Sequence, residues 1–376
     1  MYSKLNGLRG IIKKMKKSYI VLLLFSGVFG SVSSQEFLWK ANMHGFFDNN
    51  EFAGSLLRNS QTMAGIHVAP EVGLGWDKKH RVFVGANLMR EFGSDQLIDY
   101  SDLIAYYEFD NQPFRFYMGA FPRRMVLEKY PRMFFQDSIW NYRPLMTGIF
   151  WEKYSNDNYF INAWLDWTQR QTREHNEAFF IGLSGRYNLS LFYGQLFSYY
   201  FHFAGKKDPV VIEGLHDNGL VWKSLGIDLT RKTPLFEKLE VNAGWTIGVE
   251  RDREIGEFHT PQGFLSEIKV EYKGLGLFNT YYRGGRQQVF YEDHSNILYW
   301  GDPYYRSTEY NRTDLYINFI KTDVVHVKFT YSLHFVERAV VTHHEQLFTA
   351  TFRLDNFKAK KGDSSHYEYI WDNWFK

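Results

Sequence analysis

The stretch from Asp323 to Arg338, DVVHVKFTYSLHFVER, alternates apolar and polar side chains with a period of two. From Val325 to Phe335 the odd positions are apolar. The even positions carry the polar residues His326, Lys328, Thr330, Ser332 and His334. This period predicts a β-strand with one apolar and one polar face. The stretch alone does not show which face meets water, because a soluble sandwich buries its apolar face whereas a membrane barrel turns it to lipid.

The same alternation recurs along nearly the whole chain. It predicts sixteen strands, at residues 39–48, 62–76, 81–91, 102–110, 114–121, 147–154, 159–169, 177–187, 190–203, 219–231, 238–251, 262–273, 275–285, 309–321, 323–337 and 345–357. The connections alternate between short and long. The long ones are 49–61, 92–101, 122–146, 170–176, 204–218, 252–261, 286–308 and 338–344. The connections of a Greek-key sandwich are not expected to alternate in length. Up-and-down outer-membrane barrels have tight periplasmic turns and longer extracellular loops, which gives this alternation.

These patterns predict an all-β fold, a closed up-and-down antiparallel transmembrane β-barrel of about sixteen strands. Closure is required because an open sheet edge would leave backbone groups unpaired in hydrocarbon. The apolar faces at 66–76 and 239–250 are therefore expected to meet lipid, and the polar faces to meet a wet lumen. In the window 190–203 the segment FYGQLFSYYFHF is too uniformly aromatic for its faces to be assigned.

Composition agrees with this fold. Aromatic residues make up 19% of the 376 residues, which is more than one soluble core of this size needs and is typical of strands. The chain has no Cys, which excludes disulfides, zinc-thiolate sites and thiol nucleophiles. Residues 1–34 carry six of the 44 Lys and Arg residues and none of the 42 Asp and Glu residues, so the remainder has a net charge of −4. The basic pI therefore gives no indication of a nucleic-acid partner.

The N-terminus predicts export. Four lysines between residues 13 and 17 precede the apolar run Tyr19 to Gly30, and small residues follow up to Ser34. This order is typical of a secretory signal peptide, with cleavage after Ser34 and with Met15 as a second possible start. An uncleaved anchor is the alternative, but the run is short for a membrane span of ~20 residues. The predicted organisation is a signal segment at 1–34, a barrel at 35–357 in the outer membrane and a periplasmic tail at 358–376.

In strand number, loop parity, signal segment and long third loop, the chain resembles the Gram-negative outer-membrane porins of about sixteen strands. The resemblance implies a channel for passive diffusion of small polar solutes, including anions or saccharides, without cofactor, metal or catalysis. It also implies contact with outer-membrane lipid and lipopolysaccharide, and a protein that occurs alone or as a homo-oligomer. The acidic constriction-loop motif of many general porins is absent. A receptor that depends on TonB would need an N-terminal plug domain and a longer chain.

In such porins the third long loop narrows the lumen, and here that position is held by residues 122–146. Its apolar side chains, among them Phe134 and Trp140, suggest that it packs against the inner wall rather than in water. Its net charge of +3 predicts an anion preference. A loop that caps the barrel or binds lipid headgroups is the alternative. The predicted constriction residues are Arg123, Arg124, Lys129, Arg132 and Arg143, and the predicted lumen-lining residues are Arg115, Asp166, Lys328 and Arg353.

Two further functions are compatible with the sequence. The tail 358–376 is rich in Tyr, Trp and Phe, which suggests a non-conducting structural subunit docked on other outer-membrane or periplasmic proteins; alternatively the tail is itself a last strand. The third is an outer-membrane barrel enzyme, since Ser332 and His334 share one lumen-facing row. Polar alternation produces such pairs by chance throughout a barrel. His343 and His344 beside Glu345 resemble a metal cluster, but adjacent strand residues face opposite ways. The sequence therefore predicts no catalytic residue, no metal site and no enzymatic activity.

Overall fold

The computed structural model describes residues 35–155, 158–207, 215–230, 232–337, 343–357, 369 and 371. The predicted signal segment 1–34 and, apart from Tyr369 and Trp371, the predicted tail lie outside these residues. The described residues form one closed antiparallel barrel, which confirms the predicted fold. Its sixteen strands are β1 (Glu36–Glu51), β2 (Gln61–Trp76), β3 (His80–Glu91), β4 (Tyr100–Asn111), β5 (Phe114–Pro122), β6 (Leu145–Ser155), β7 (Tyr159–Gln169), β8 (Ala178–Leu189), β9 (Phe192–Phe203), β10 (His216–Asp228), β11 (Lys238–Asp252), β13 (Gln262–Tyr272), β14 (Leu275–Gly284), β15 (Glu309–Lys321), β16 (Val325–Val336) and β17 (His343–Asp355).

Each barrel strand pairs with its neighbour in the chain, and β17 pairs with β1 to close the sheet. A two-residue strand, β12 (Phe258–His259), pairs with the end of β11. The connections hold three short α-helices and one 3-10 helix: α1 (Arg124–Leu127), α2 (Asp137–Tyr142), α3 (Tyr291–Leu298) and η1 (Pro303–Arg306). Every predicted strand window overlaps one of the sixteen barrel strands. The alternative in which the tail supplies the last strand is not needed, because β17 closes the barrel.

Side-chain exposure separates the two faces of the sheet. On β11 the outward residues Val241 and Trp245 are exposed, whereas their inward neighbours Glu240, Asn242 and Thr246 are buried. This inverts the arrangement of a soluble protein, in which apolar side chains are buried and charged ones exposed. The outward surface is therefore suited to hydrocarbon. We place the long connections on the extracellular side and the short turns in the periplasm, as in bacterial outer-membrane barrels.

Within the described part of the chain, no helix is long and apolar enough to cross a membrane.

The outward face of β17 provides a test of how deep its side chains lie in the membrane. Phe348 is exposed near the middle of the strand, and Leu354 is exposed near its periplasmic end. A lysine on the lipid face costs about 2–4 kcal/mol at the midplane and about 0–1 kcal/mol near an interface. We therefore expect Phe348→Lys to impair assembly strongly and Leu354→Lys to assemble nearly normally, as measured by heat-modifiable mobility on gels. Equal assembly of the two variants would contradict the assigned depth.

Two long loops fold into the extracellular half of the barrel. Loop L3 (residues 123–144) carries α1 and α2, and loop L7 (residues 285–308) carries α3 and η1. The amide of Gln136 in L3 donates to the carbonyl of Trp300 in L7 at 2.8 Å, and the amide of Asp302 donates to the carbonyl of Arg132 at 2.9 Å. Phe135 has no exposed surface. The loops thus form a joint packing unit within the barrel, whose aromatic side chains contact the walls of β7, β8 and β9.

At the periplasmic end, the two described residues of the tail lie against β15. The backbone amide of Lys321 donates to Tyr369 Oη at 2.6 Å, and the Trp371 ring lies 6.3 Å from the Phe319 ring. Phe319 belongs to the exposed apolar surface of the barrel. This part of the tail therefore contacts the outside of the barrel.

Candidate functional site

The basic side chains of L3 that sequence placed at a constriction are packed against the barrel wall. Arg123 is buried and ion-paired with Asp166 of β7, and its Nε donates to the carbonyl of Arg143 at 2.9 Å. Arg132 lies 2.8 Å from both Asp137 in its own loop and Asp314 of β15. The wall therefore supplies carboxylates that neutralise part of the loop's positive charge.

The other three basic side chains of L3 lie over aromatic rings. Arg124 lies 5.9 Å from the Trp140 centroid, and Arg143 lies 4.9 Å from the Trp300 centroid. Lys129 lies 4.2 Å from the Phe160 centroid. Such contacts hold a cation against the π-face of a ring.

The predicted lumen-lining residues do not meet in one place. Arg115 lies 3.7 Å from Asp110 and 3.4 Å from Glu152 near the periplasmic end, and Lys328 lies 4.0 Å from the Tyr316 ring. Arg353 is exposed and shares the inner face of β17 with Thr351, which contacts the lumen residue His44. Asp166 is the partner of Arg123 described above. These four residues stand at separate points of the wall.

A buried charge cluster on the inner wall surrounds Arg312 of β15. Its guanidinium lies 2.7 Å from Asp314, 3.0 Å from Asp137, 3.2 Å from Glu345 and 3.9 Å from Asp302. Arg312 is 2% exposed, so these ion pairs are shielded from bulk solvent. We refer to Arg312 and these four carboxylates as the inner cluster.

The serine and histidine that sequence considered for catalysis lie beside the inner cluster. Arg312 Nη2 donates to Ser332 Oγ at 3.0 Å. The His334 ring has Glu345 Oε2 at 3.4 Å from one nitrogen and Tyr310 Oη at 2.8 Å from the other. Ser332 and His334 have no exposed surface. Ser332 is thus bonded to Arg312 and His334 to Tyr310, and the described hydrogen bonds do not join the serine to the histidine.

The structure places His343 and Glu345 on the inner face of β17, and His344 on the outer face, where its ring stacks with that of Tyr331. Among the residues that the structure describes, no group of three or more His, Asp and Glu side chains is arranged to hold a metal ion.

A different constellation lies on the outside of the barrel, at the extracellular ends of five strands. Strand register aligns one outward residue from each of β7 to β11 in a single row: Trp167, Phe179, His202, Asp217 and Arg251. Trp167 is 42% exposed, and its ring lies 5.2 Å from Phe179, which lies 5.1 Å from His202. Aromatic residues at this level are typical of the girdle that marks the membrane interface of such barrels.

The polar part of this row is a histidine held by a carboxylate. His202 Nδ1 lies 2.9 Å from Asp217 Oδ1, the same oxygen accepts from Tyr200 Oη, and Arg253 Nε donates to Asp217 Oδ2 at 2.6 Å. Asp217 is 5% exposed, whereas the His202 side chain is 17% exposed. The hydrogen bond that Arg253 donates to Asp217 raises the pKa of Arg253, which therefore remains cationic. We refer to Tyr200, His202, Asp217 and Arg253 as the rim site.

This geometry is suited to general base catalysis. An ionised Asp217 accepts from the Nδ1–H of His202, which fixes the tautomer with its lone pair on Nε2. A histidine in this state can take a proton from water or from a hydroxyl group. No serine contact to His202 occurs among the described residues, so water is the nucleophile that this arrangement favours.

Basic side chains surround the rim site on the extracellular side. Two hydrogen bonds join loop L4 (residues 170–177) to the described start of loop L5 (residues 204–207). Gln171 Nε2 donates to the carbonyl of Gly205 at 3.0 Å, and the Lys207 amide donates to the carbonyl of Thr172 at 2.8 Å. The exposed or partly exposed basic residues here are Arg170, Arg173, Lys206, Lys207, Arg251 and Arg253. The same connections also carry the acidic residues Glu174, Glu177, Glu254 and Glu257, so these cations offer individual contacts for anionic groups rather than a net positive surface.

Sequence reasoning missed the rim site. His202 lies in the aromatic window whose faces could not be assigned, and Asp217 lies fifteen residues further on. The signal that could have found it is the polar pair Tyr200 and His202 at alternate positions, followed across one connection by Asp217. The register of β9 with β10 then places Asp217 opposite His202.

Comparison with known proteins gives one family. Residues 29–364 match the family described as lipid A 3'-O-deacylase-type. No curated protein matches the chain significantly.

Solved structures with a similar fold are outer-membrane proteins. A loop-deletion variant of OmpT from Vibrio cholerae has a TM-score of 0.51 at 7% identity, over 86% of this chain and 100% of that one. OmpF of Salmonella typhi in complex with daunomycin has a TM-score of 0.49 at 8% identity, over 85% of this chain and 97% of that one. OccK9 of Pseudomonas aeruginosa has a TM-score of 0.48 at 9% identity, over 85% and 99%. At these identities the likeness concerns the fold alone, a closed barrel of the outer membrane.

The family match corrects one expectation from the sequence. The prediction that the protein is not an enzyme is wrong, because the matched family is one of deacylases and the match spans the barrel. The resemblance to porins extends to the barrel architecture. The strand pattern reports which side chains face lipid and which face the lumen. A channel and an enzyme built on the same barrel share this pattern, so it could not distinguish the two functions.

Proposed function

Because this chain belongs to the lipid A 3'-O-deacylase-type family, we propose that it is an outer-membrane hydrolase of acylated glycolipids. The substrate class is an anionic glycolipid of the lipid A type, and the reaction is the release of one ester-linked acyl chain. The rim site is the proposed active site.

The observation that supports this assignment most directly is the hydrogen-bonded pair His202 and Asp217 on the lipid side of the barrel, at its extracellular edge. The ester bonds of such a glycolipid lie between its sugar headgroup and its acyl chains, at the membrane interface. A catalytic base for these esters must therefore face outward at the same level. The inner cluster does not meet this requirement, because it is enclosed by L3, L7 and the wall.

In the proposed reaction, His202 Nε2 removes a proton from a water molecule as the water oxygen attacks the ester carbonyl carbon. The tetrahedral intermediate carries its negative charge on the former carbonyl oxygen. When the bond between the carbonyl carbon and the sugar oxygen breaks, the protonated imidazole returns the proton to that sugar oxygen. The products are a free fatty acid and a glycolipid with one additional hydroxyl group. Asp217 holds the imidazole tautomer and stabilises the imidazolium.

The cations around the rim site have two proposed roles. Arg253 lies nearest to the histidine, through Asp217, and its exposed guanidinium is the group best placed to stabilise the developing oxyanion. Arg251, on the neighbouring strand, and the basic residues of L4 and L5 would bind phosphate groups of the headgroup. This arrangement would orient the glycolipid with its acyl chains along the barrel wall.

Passive diffusion through the barrel is not part of this proposal. The packing of L3 against L7 and against the walls occupies the extracellular half of the interior. The anion preference predicted from the net charge of +3 in this loop is likewise left out, because Arg123 and Arg132 both have wall carboxylates as partners.

The proposal is tested with purified barrel in mixed micelles that contain hexa-acylated lipid A. We expect mass spectrometry to show a lipid A product that has lost one acyl chain, together with an equal amount of free fatty acid. Lipid A that keeps all its chains, under conditions in which the barrel remains folded, would refute the proposed reaction. Phosphatidylethanolamine serves as the control lipid and should stay intact, because it lacks the anionic sugar headgroup.

A further inference from the structure

An apolar groove lies on the outer wall below the rim site. It has a volume of about 580 Å³ and is formed by the outer faces of β7, β8 and β9. Its outward side chains include Tyr159, Ile161, Leu183, Tyr187 and Leu196, and the backbone of Gly185 and Gly194 forms part of its floor. A volume of this size is in the range of small-molecule sites. Since this wall faces hydrocarbon, its natural occupant is an acyl chain.

The groove lies in line with the rim site on β9. Outward positions on this strand run from His202 at the extracellular end through Tyr200 and Ser198 to Leu196 and Gly194. Six residues separate His202 from Leu196, which at ~3.3 Å per residue is about 20 Å along the strand. A strand tilt of about 40° reduces this to about 15 Å of depth, which is half of a hydrocarbon core of ~30 Å. The groove therefore lies at a depth that the far end of a long acyl chain can reach when its ester is at His202.

Resting on the proposed function, we propose that this groove holds the end of the acyl chain that is cleaved and thereby selects its length. A long chain fills the groove and places its ester at His202. A short chain ends above the groove and gains no contact there. Because burial of each methylene group contributes about 0.8 kcal/mol, a few methylenes give a strong preference for the long chain.

The two glycines determine whether the groove is open. A Cβ at Gly194 would have only Leu225 Cδ2 within 4 Å, at 3.6 Å, which is ordinary contact. A Cβ at Gly185 would lie 3.0 Å from the carbonyl oxygen of Phe160, which is tighter. Gly194 is therefore the position at which a larger side chain can fill the groove without moving the backbone.

The experiment compares Gly194→Leu with the control Gly45→Leu. Gly45 also lies within a strand, on β1 on another part of the barrel, and a Cβ there would meet nothing closer than 3.9 Å. The substrates are glycolipids with ester-linked chains of about ten and about fourteen carbons. We expect Gly194→Leu to lower kcat/KM for the long chain about tenfold and to leave the short chain within about twofold, and Gly45→Leu to change neither. Equal effects of Gly194→Leu on both chain lengths would overturn the proposal.

A second measurement separates the groove from the catalytic proposal. The variant His202→Ala, which should bind without turnover, is irradiated with a glycolipid that carries a diazirine at the end of its acyl chain. We expect labelling of Leu183, Tyr187 or Leu196 that exceeds, at least about fivefold, the labelling by a phospholipid with the same diazirine chain. Equal labelling by both lipids would show an ordinary lipid shell and overturn the groove. Selective labelling without any hydrolysis by the unmodified protein would instead refute the proposed reaction and leave the groove standing.

Discussion

Replacement of His202 by glutamine should leave the barrel assembled and lower the rate of deacylation by about 10²- to 10⁴-fold, the usual contribution of a general base. Glutamine can keep a hydrogen bond to Asp217 but cannot accept a proton from water at neutral pH. The measurement is the release of fatty acid per folded molecule, with folding followed by heat-modifiable mobility. A residual rate within about threefold of the unmodified protein would remove His202 from the mechanism.

Substitution of Asp217, the hydrogen-bond partner of His202, tests the same prediction in a second way. Asp217→Asn replaces an acceptor by an amide whose NH₂ group favours the wrong imidazole tautomer, and losses of up to about 10⁴-fold are known for such a change in a catalytic triad. Because Asp217 acts through His202, its loss should reduce kcat more than it changes KM, and Asp217→Glu should restore part of the rate.

The control for both variants is His334→Gln. His334 is buried beside Glu345 and Tyr310, so its replacement should reduce stability and leave the rate per folded molecule nearly unchanged. If His334→Gln abolished hydrolysis while His202→Gln did not, the active site would lie at the inner cluster. The two histidines therefore discriminate between an active site at the membrane rim and one beneath the loops.

The barrel could be predicted from sequence because two independent patterns agree. Alternation on strands such as β11 and β16 reports the partition between lipid and lumen, and the alternating loop lengths report the up-and-down connectivity. Both patterns can be read from single segments and from their order along the chain, without knowing which residues contact one another in the folded protein. The predicted strand ends lie within a few residues of the observed ends. For example, β1 is predicted at 39–48 and spans Glu36–Glu51.

The rim site could not be predicted in the same way, because aromatic residues occupy both faces of β9. Phe197, Tyr199 and Phe201 point inward and are buried, Phe197 and Tyr199 against L3 and Phe201 against Phe180 of β8. Tyr200 and His202 point outward. In most strands polar residues mark the lumen, but here a histidine lies on the lipid side. Only the register of β9 with β10 shows that His202 has Asp217 as a partner.

The charge of L3 likewise depends on residues outside its own segment. A net charge of +3 counts only the loop, whereas the structure sets Arg123 against Asp166 and Arg132 against Asp314, both from strands distant in sequence. Carboxylates on the inner face of a barrel strand look the same in sequence whether they line water or pair with a loop. The local charge of a segment therefore predicts its field only when its partners are known.

Replacement of Arg312 by methionine should produce the largest loss of stability, about 3–5 kcal/mol, because it leaves buried carboxylates without their cation. Asp314 keeps Arg132 at 2.8 Å, but Glu345 loses its ion pair at 3.2 Å and, among the described residues, keeps the contact with His334 at 3.4 Å. The matched control is Arg286→Met, whose ion pair with Glu337 spans 3.9 Å between exposed side chains and should contribute less than about 1 kcal/mol. The measurement is equilibrium unfolding by urea in lipid vesicles.

Addition of Glu345→Gln to Arg312→Met should restore part of the loss, since it removes the uncompensated charge. Equal losses for Arg312→Met and Arg286→Met would mean that water or protons already neutralise the inner cluster and that the ion pairs of Arg312 contribute little to holding the two loops in the barrel.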